Sequence, residues 1–200
     1  MDVSRPVTVV IDAGHGGEDG GAVSVSGVQE CQINLSVALR LEQLLALCGV
    51  KPAMIRTIDT AVYTEGDTIT EKKVSDLKHR VQLVNETTNA LLISIHQNHF
   101  SEPKYTGAQV FYAPFNGSEA LALLTQQSLR STLDPGNRRQ PKPANSVYLM
   151  QQVSCPAILV ECGFLSNDAE TVRLQEASHQ IKLAAAITAG YLRGIGEDSA

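Results

Sequence analysis

Residues 9–22, VVIDAGHGGEDGGA, place one histidine, His15, between Gly14 and Gly16 where an apolar run breaks, with Glu18 and Asp19 close behind. Such a stretch can be a phosphate cradle, a tight turn that contains an imidazole, or part of a metal site. Gly14 and Gly16 match the start of a dinucleotide-binding G-x-G-x-x-G fingerprint, but Asp19 occupies its third glycine position. No Lys-Ser/Thr pair follows, as a phosphate loop requires. Metal chemistry needs partners from elsewhere in the chain, and three stand out. His96 ends the run ALLISIH, Glu161 ends PAILVE, and Glu30 lies between the glycine-rich loop and a helical pattern. Imidazoles and carboxylates bind zinc, and a carboxylate can also move protons.

Each group has an ordinary alternative. A histidine among glycines is commonly a turn residue, and an acid such as Glu30 suits the first turn of a helix because of the helix dipole. Glu161 is harder to dismiss, since a carboxylate directly after AILV is costly to bury without a partner. Other residues point away from chemistry. His99 follows His96 too closely on an extended segment to share its direction, and His79 and His179 are expected to face solvent on helices. Cys162 adjoins Glu161, but a nucleophilic thiol needs a base beside it. Arg56 and Arg80 are expected to hold internal ion pairs rather than a substrate carboxylate.

The elements that must position these residues alternate between apolar strands and amphipathic helices. VTVVID (7–12), KPAMIRT (51–57), ALLISIH (90–96), AQVFYA (108–113), VYLM (147–150) and PAILVE (156–161) read as strands. Helices are expected over 31–48, capped by Gly49, over 74–88, over 118–133 with Ser118 as N-cap, and over 178–195. The stretches 58–70 and 134–146 read as loops. This order predicts an α/β fold: three layers, with a mostly parallel twisted sheet covered by helices on both faces. Parallel strands would bring the endings at His15, His96 and Glu161 to one rim, where sites gather in such sheets, with Glu30 beside them.

Bulk properties narrow the function. The chain has 200 residues, 43% of them hydrophobic, enough for one full-sized core. A net charge of −5 argues against nucleic acid as a partner. The only lysine- and arginine-rich segment, EKKVSDLKHR, alternates in sign and reads as a solvated helix face. No apolar run approaches the roughly 20 residues that span a bilayer, so no transmembrane segment is expected. Nor does an apolar signal region open residues 1–12. The cysteines at 31, 48, 155 and 162 form no CxxC pair and are expected to be free and mostly buried.

Taken in order, VVIDAGHGGEDGGA, Glu30, LLISIHQN and AILVECGFLSN resemble the zinc-dependent N-acetylmuramoyl-L-alanine amidases of the amidase 3 type. The likeness covers roughly residues 6–194, implying a single amidase catalytic domain over 1–200 with a phosphorylase/hydrolase-like sheet. It implies that His15, Glu30 and His96 hold one Zn²⁺ with a position left open for water, and that Glu161 is the catalytic glutamate. The substrate it implies is peptidoglycan, cut between N-acetylmuramic acid and L-alanine, and the location is the cell envelope. Ala13 stands where the family often has proline. The segments YTGAQVFYA and LDPGNRRQPKPANSVYLM further resemble the spore-cortex branch, in which a protein partner can be needed for activity. Some relatives carry an inhibitory helix between the second histidine and the catalytic glutamate. Residues 97–160 show no spare acidic helix, so an open site flanked by 58–70 and 97–107 is expected. Three rivals remain at this point: a zinc exopeptidase of similar fold, a non-catalytic wall-binding homologue, and an amidase inactive without its partner. The exopeptidase would need a second metal and more aspartate ligands than Asp12, the one aspartate at a strand end.

Overall fold

A computed structural model describes residues 6–197. The expected limits 1–200 run past these at both ends, and the first five residues of the segment read for an export signal lie outside the described part. The strands are β1 (Thr8–Ala13), β2 (Lys51–Met54), β3 (Ala90–Asn98), β4 (Gln109–Tyr112), β5 (Lys142–Pro143) and β6 (Ala157–Phe164). They form one sheet in the order β2-β1-β3-β6-β4-β5. The pairs β2–β1, β1–β3, β3–β6 and β4–β5 are parallel, and β4 runs antiparallel to β6. The sheet is therefore mixed, with the parallel part carrying the three strand ends of interest.

Side chains alternate across the central strands, so each face builds its own core. Val9, Ile11, Leu91, Ile93, Ile95, Ile158 and Val160 lie under α1 (Glu30–Leu47), α3 (Ser118–Leu133) and α6 (Ala177–Glu197). On the other face, Val10, Leu92, Ala157 and Leu159 pack with Val84 of α2 (Ile69–Glu86) and Leu149 and Met150 of α4 (Tyr148–Gln152). A short helix, α5 (Asp168–Gln175), follows β6. These are the three layers the alternation of elements predicts.

Local chemistry explains where elements start and stop. Helix α1 ends as expected at Gly49, whose N–H bonds Ala46 O while Val50 N–H reaches Leu45 O. At its other end no side chain caps it. Instead the N–H groups of Glu30 and Cys31 donate to Ala22 O and Gly20 O, so the glycine-rich loop itself caps α1. Helix α2 begins earlier than expected, at Ile69, because Thr68 and Glu71 form a capping box. Ser118 does not cap α3; Gly117 holds that position and the Ser118 hydroxyl accepts from Ala157 N–H of β6. The segment VYLM is helical, not a strand: Gln151 N–H bonds Val147 O, and four apolar residues alone do not distinguish the two states. The two-residue β5 arises in a stretch read as a loop, and helix α5 in one to which no element was assigned.

Candidate metal centre

The register of the sheet places the site. Ala13 lies opposite Ile95 and His96 opposite Glu161, so the ends of β1, β3 and β6 share one rim. By alternation, Asp12, Ser94, His96 and Glu161 sit on the α2 and α4 face. Gly14 follows Ala13 with its N–H on Ile95 O, which sets it beside His96. A Cβ at Gly14 would collide with the His96 imidazole, so the ring occupies space that only glycine leaves free.

Glu30 joins these groups from the first turn of α1. Its Oε1 lies 2.9 Å from His96 Nδ1 and accepts from Gln97 N–H at 3.0 Å and Asn34 Nδ2 at 3.2 Å. Its Oε2 accepts from Ala22 N–H at 2.9 Å and lies 3.4 Å from His15 Nε2. The two imidazoles meet edge to face, with centroids 5.1 Å apart. His15, at φ 61°, is turned to this point by the loop, and its Nδ1 lies 2.9 Å from Asp19 Oδ2. The histidine side chains keep 27% and 20% of their surface exposed, so solvent reaches the group.

Burial and charge give the groups different acidities. Burial opposes a charged His15, but its hydrogen bonds to Asp19 and Glu30 outweigh this and push it up to about 9. Burial also opposes an ionised Glu30, yet the bonds from His15 and His96 hold it well below the usual carboxylate range. Burial pushes Glu161 up to about 7, only partly offset by the His96 charge. Its Oε2 is buried and has no hydrogen-bond partner. Two imidazoles and one carboxylate, with ligand atoms within 4.8 Å of one another, form a donor set that suits zinc. The partnerless Glu161 oxygen beside them suits a water or ligand held at the same point.

The structure thus brings together all four residues singled out by sequence. His99 is exposed, as expected for a residue outside the group. His79 and His179 are half-buried rather than solvent-facing; His79 Nδ1 donates to Val62 O. All four cysteines are free, and three are buried. Arg56 and Arg80 serve structure. Arg56 donates to Ala13 O, Gly14 O and Cys31 O; Arg80 pairs with Asp12 and Asp76 and donates to Ala13 O and His15 O. Two buried guanidinium groups therefore hold the carbonyls of the His15 loop, a role that no spacing in the sequence announces. Asn34 was also not foreseen, although its i+4 spacing from Glu30 is legible. A cleft of about 270 Å³ opens beside the group, with His15, Lys73, Leu77, His96 and Leu149 among its walls. Residues 58–70 contribute Ala61 and Tyr63 to an adjoining hollow. Residues 97–107 line neither hollow; Phe100 and Tyr105 pack their rings on Phe164 instead.

A mixed α/β sheet that gathers two histidines and two glutamates near the ends of parallel strands, three of them placed so that they could hold a metal, has the layout of a hydrolase. The family profile described as N-acetylmuramoyl-L-alanine amidase matches residues 9–193, and the chain belongs to this family of amide hydrolases. It is 38% identical over 187 residues to the germination-specific N-acetylmuramoyl-L-alanine amidase of Bacillus subtilis, covering 92% of this chain and 78% of that protein. Among solved structures, the CwlD amidase of Clostridioides difficile, in complex with the GerS lipoprotein, superposes with a TM-score of 0.91 at 35% identity. That match covers 94% of this chain and 98% of the other. The catalytic domain of CwlV from Bacillus (Paenibacillus) polymyxa var. colistinus gives 0.79 at 28% identity over 96% and 99% of the two chains.

Proposed function

We propose that this chain is a zinc amidase that cuts peptidoglycan between N-acetylmuramic acid and the L-alanine of the stem peptide, acting outside the cytoplasm in the spore cortex. The observation that carries the reading is the His15–Glu30–His96 donor group with the partnerless Glu161 oxygen beside it. Under this reading His15, Glu30 and His96 hold one Zn²⁺. Zinc supplies Lewis-acid polarisation of the amide carbonyl and makes water acidic enough to react near neutral pH. Glu161 takes the proton from the attacking water on its Oε2 and returns it to the departing L-alanine nitrogen. Glu30 serves as a carboxylate, with N–H donors from Ala22, Asn34 and Gln97 on its two oxygens. The exposed edges of His15 and His96 leave room for a polymer to approach along the cleft. Asp12 is buried against Arg80 and Ser94, which speaks against the two-metal exopeptidase reading. The relative named for germination supports a role in the cortex, and the CwlD relative in complex with a lipoprotein supports a protein partner for this chain too.

The test is mass spectrometry of muropeptides after incubation of the zinc-loaded protein with purified peptidoglycan, with and without the candidate partner. Release of intact stem peptides bearing a free L-alanine amine is expected. Cleavage inside the stem peptide would contradict the reading.

A further inference from the structure

We propose that Asp19 is a positioning residue for the metal centre, with Lys73 as its anchor: the carboxylate keeps the His15 proton on Nδ1 and turns a bare Nε2 toward the cation. The inference rests on the metal reading above and adds the device that orients one of its ligands.

The two ring nitrogens of His15 face different carboxylates. Nδ1 lies 2.9 Å from Asp19 Oδ2, whereas Nε2 lies 3.4 Å from Glu30 Oε2, on the side where the donor atoms converge. A carboxylate accepts but cannot donate, so Asp19 requires the proton on Nδ1. With that proton placed, Nε2 is the nitrogen left to bind a metal. A carboxylate behind a ligating imidazole also makes that imidazole a better donor.

Asp19 is itself held from several sides. A tight turn returns the chain to His15: Gly16 N–H donates to Asp19 O at 2.8 Å and Asp19 N–H to Gly16 O at 3.2 Å. The side-chain oxygens divide their partners. Oδ2 faces His15, while Oδ1 accepts from Gly21 N–H at 3.3 Å and pairs with Lys73 Nζ at 2.9 Å. Lys73 belongs to α2, so the chain Lys73–Asp19–His15 ties that helix to the metal centre. The neighbouring pair provides an internal contrast. Lys72 binds Glu18, which is exposed and touches none of the three donors.

The test compares zinc affinity, by competition with a chromophoric chelator, for the full-length wild type and its Asp19→Ala, Asp19→Asn, Lys73→Met and Lys72→Met variants. Nitrogen-15 NMR of the histidine rings in the zinc-loaded proteins reads the proton position independently of turnover. Asp19→Ala is expected to weaken zinc binding by about 10–100-fold, the usual effect of losing such a partner, and to lose the slowly exchanging His15 Nδ1–H signal. Asp19→Asn, whose amide oxygen can still accept from Nδ1, loses less and covers the case in which the alanine variant folds poorly. Lys73→Met falls between wild type and Asp19→Ala, and Lys72→Met matches wild type. Asp19 variants that bind zinc like the wild type, with the Nδ1–H signal unmoved, would overturn the positioning role and leave the metal reading standing. A wild type that binds no zinc would take both down.

Discussion

Glu30 and Glu161 stand at the same rim with opposite surroundings, and the contrast assigns their proposed tasks. Glu30 is ringed by donors from Ala22, Asn34, His96 and Gln97, which hold it ionised. Glu161 Oε2 has no partner, and burial lifts its carboxyl to about 7, a value suited to taking and giving back a proton near neutral pH. Glu161→Gln is accordingly expected to keep its zinc while losing roughly 10²–10⁴-fold in turnover. His96→Ala should lose zinc and turnover together. Metal analysis alongside steady-state rates checks both, and near-normal cleavage by the Glu161 variant would remove its assigned role. At this scale the sequence was informative because His15, His96 and Glu161 each break an apolar run or a glycine run, whereas Glu30 was read only from the helix it opens. His96 and Glu161 are conspicuous where the apolar runs end, although β3 and β6 continue past them to Asn98 and Phe164. Asn34 was not, and for Arg56 and Arg80 the internal role was legible, with the ion pairs of Arg80 present, but not the backbone carbonyls they hold, which only folding brings close.

At the scale of elements, the His15 loop is held between α2 and the sheet by charge buried at its base. Arg80 of α2 pairs with Asp12 at the end of β1 and with Asp76 one turn earlier, and also grips Ala13 O and His15 O. Both Asp12 and Arg80 are almost fully buried. Replacing Arg80 by methionine keeps much of the volume but strands the Asp12 carboxylate in the interior. A loss of about 3–5 kcal/mol is expected, the usual effect of breaking a buried pair from one side. Urea denaturation of the zinc-free protein measures it, and a loss below about 1 kcal/mol, the scale of an exposed pair, would contradict the structural role. The strands were legible at this scale where β-branched residues fill an apolar run and turn residues bound it, since a short apolar run alone does not separate strand from helix. The helix at 148–152 was not, since VYLM is as apolar as a buried strand and too short to show a period. The early start of α2 is written in Thr68 and Glu71, a capping box that the reading of 58–70 as a loop passed over.

For the whole molecule, the alternation of strands and helices gave the three layers but not the direction of every strand. Strand β4 runs antiparallel to β6, a pairing fixed by long-range contacts rather than by its own residues. Beyond the site, the packing of α5 against α6 offers a test of the fold as a unit. His179 of α6 is half-buried, and burial together with the charges of Arg173 and Lys182 lowers it from 6.5 to about 4. The unfolded chain therefore takes up this proton first as pH falls, and stability should drop between about pH 6.5 and 4. His179→Gln is expected to lessen that decline relative to the wild type in denaturation curves across this range, whereas parallel curves would show that His179 titrates normally. The central claim is that distant parts of one chain, brought to one rim of the sheet, converge on a single cation. A crystal structure of the zinc-loaded protein with diffraction recorded on both sides of the zinc absorption edge addresses it most directly. The account predicts one anomalous peak per chain, within bonding distance of His15, Glu30 and His96 and facing Glu161. A peak bound elsewhere, or two peaks sharing the site, would contradict it.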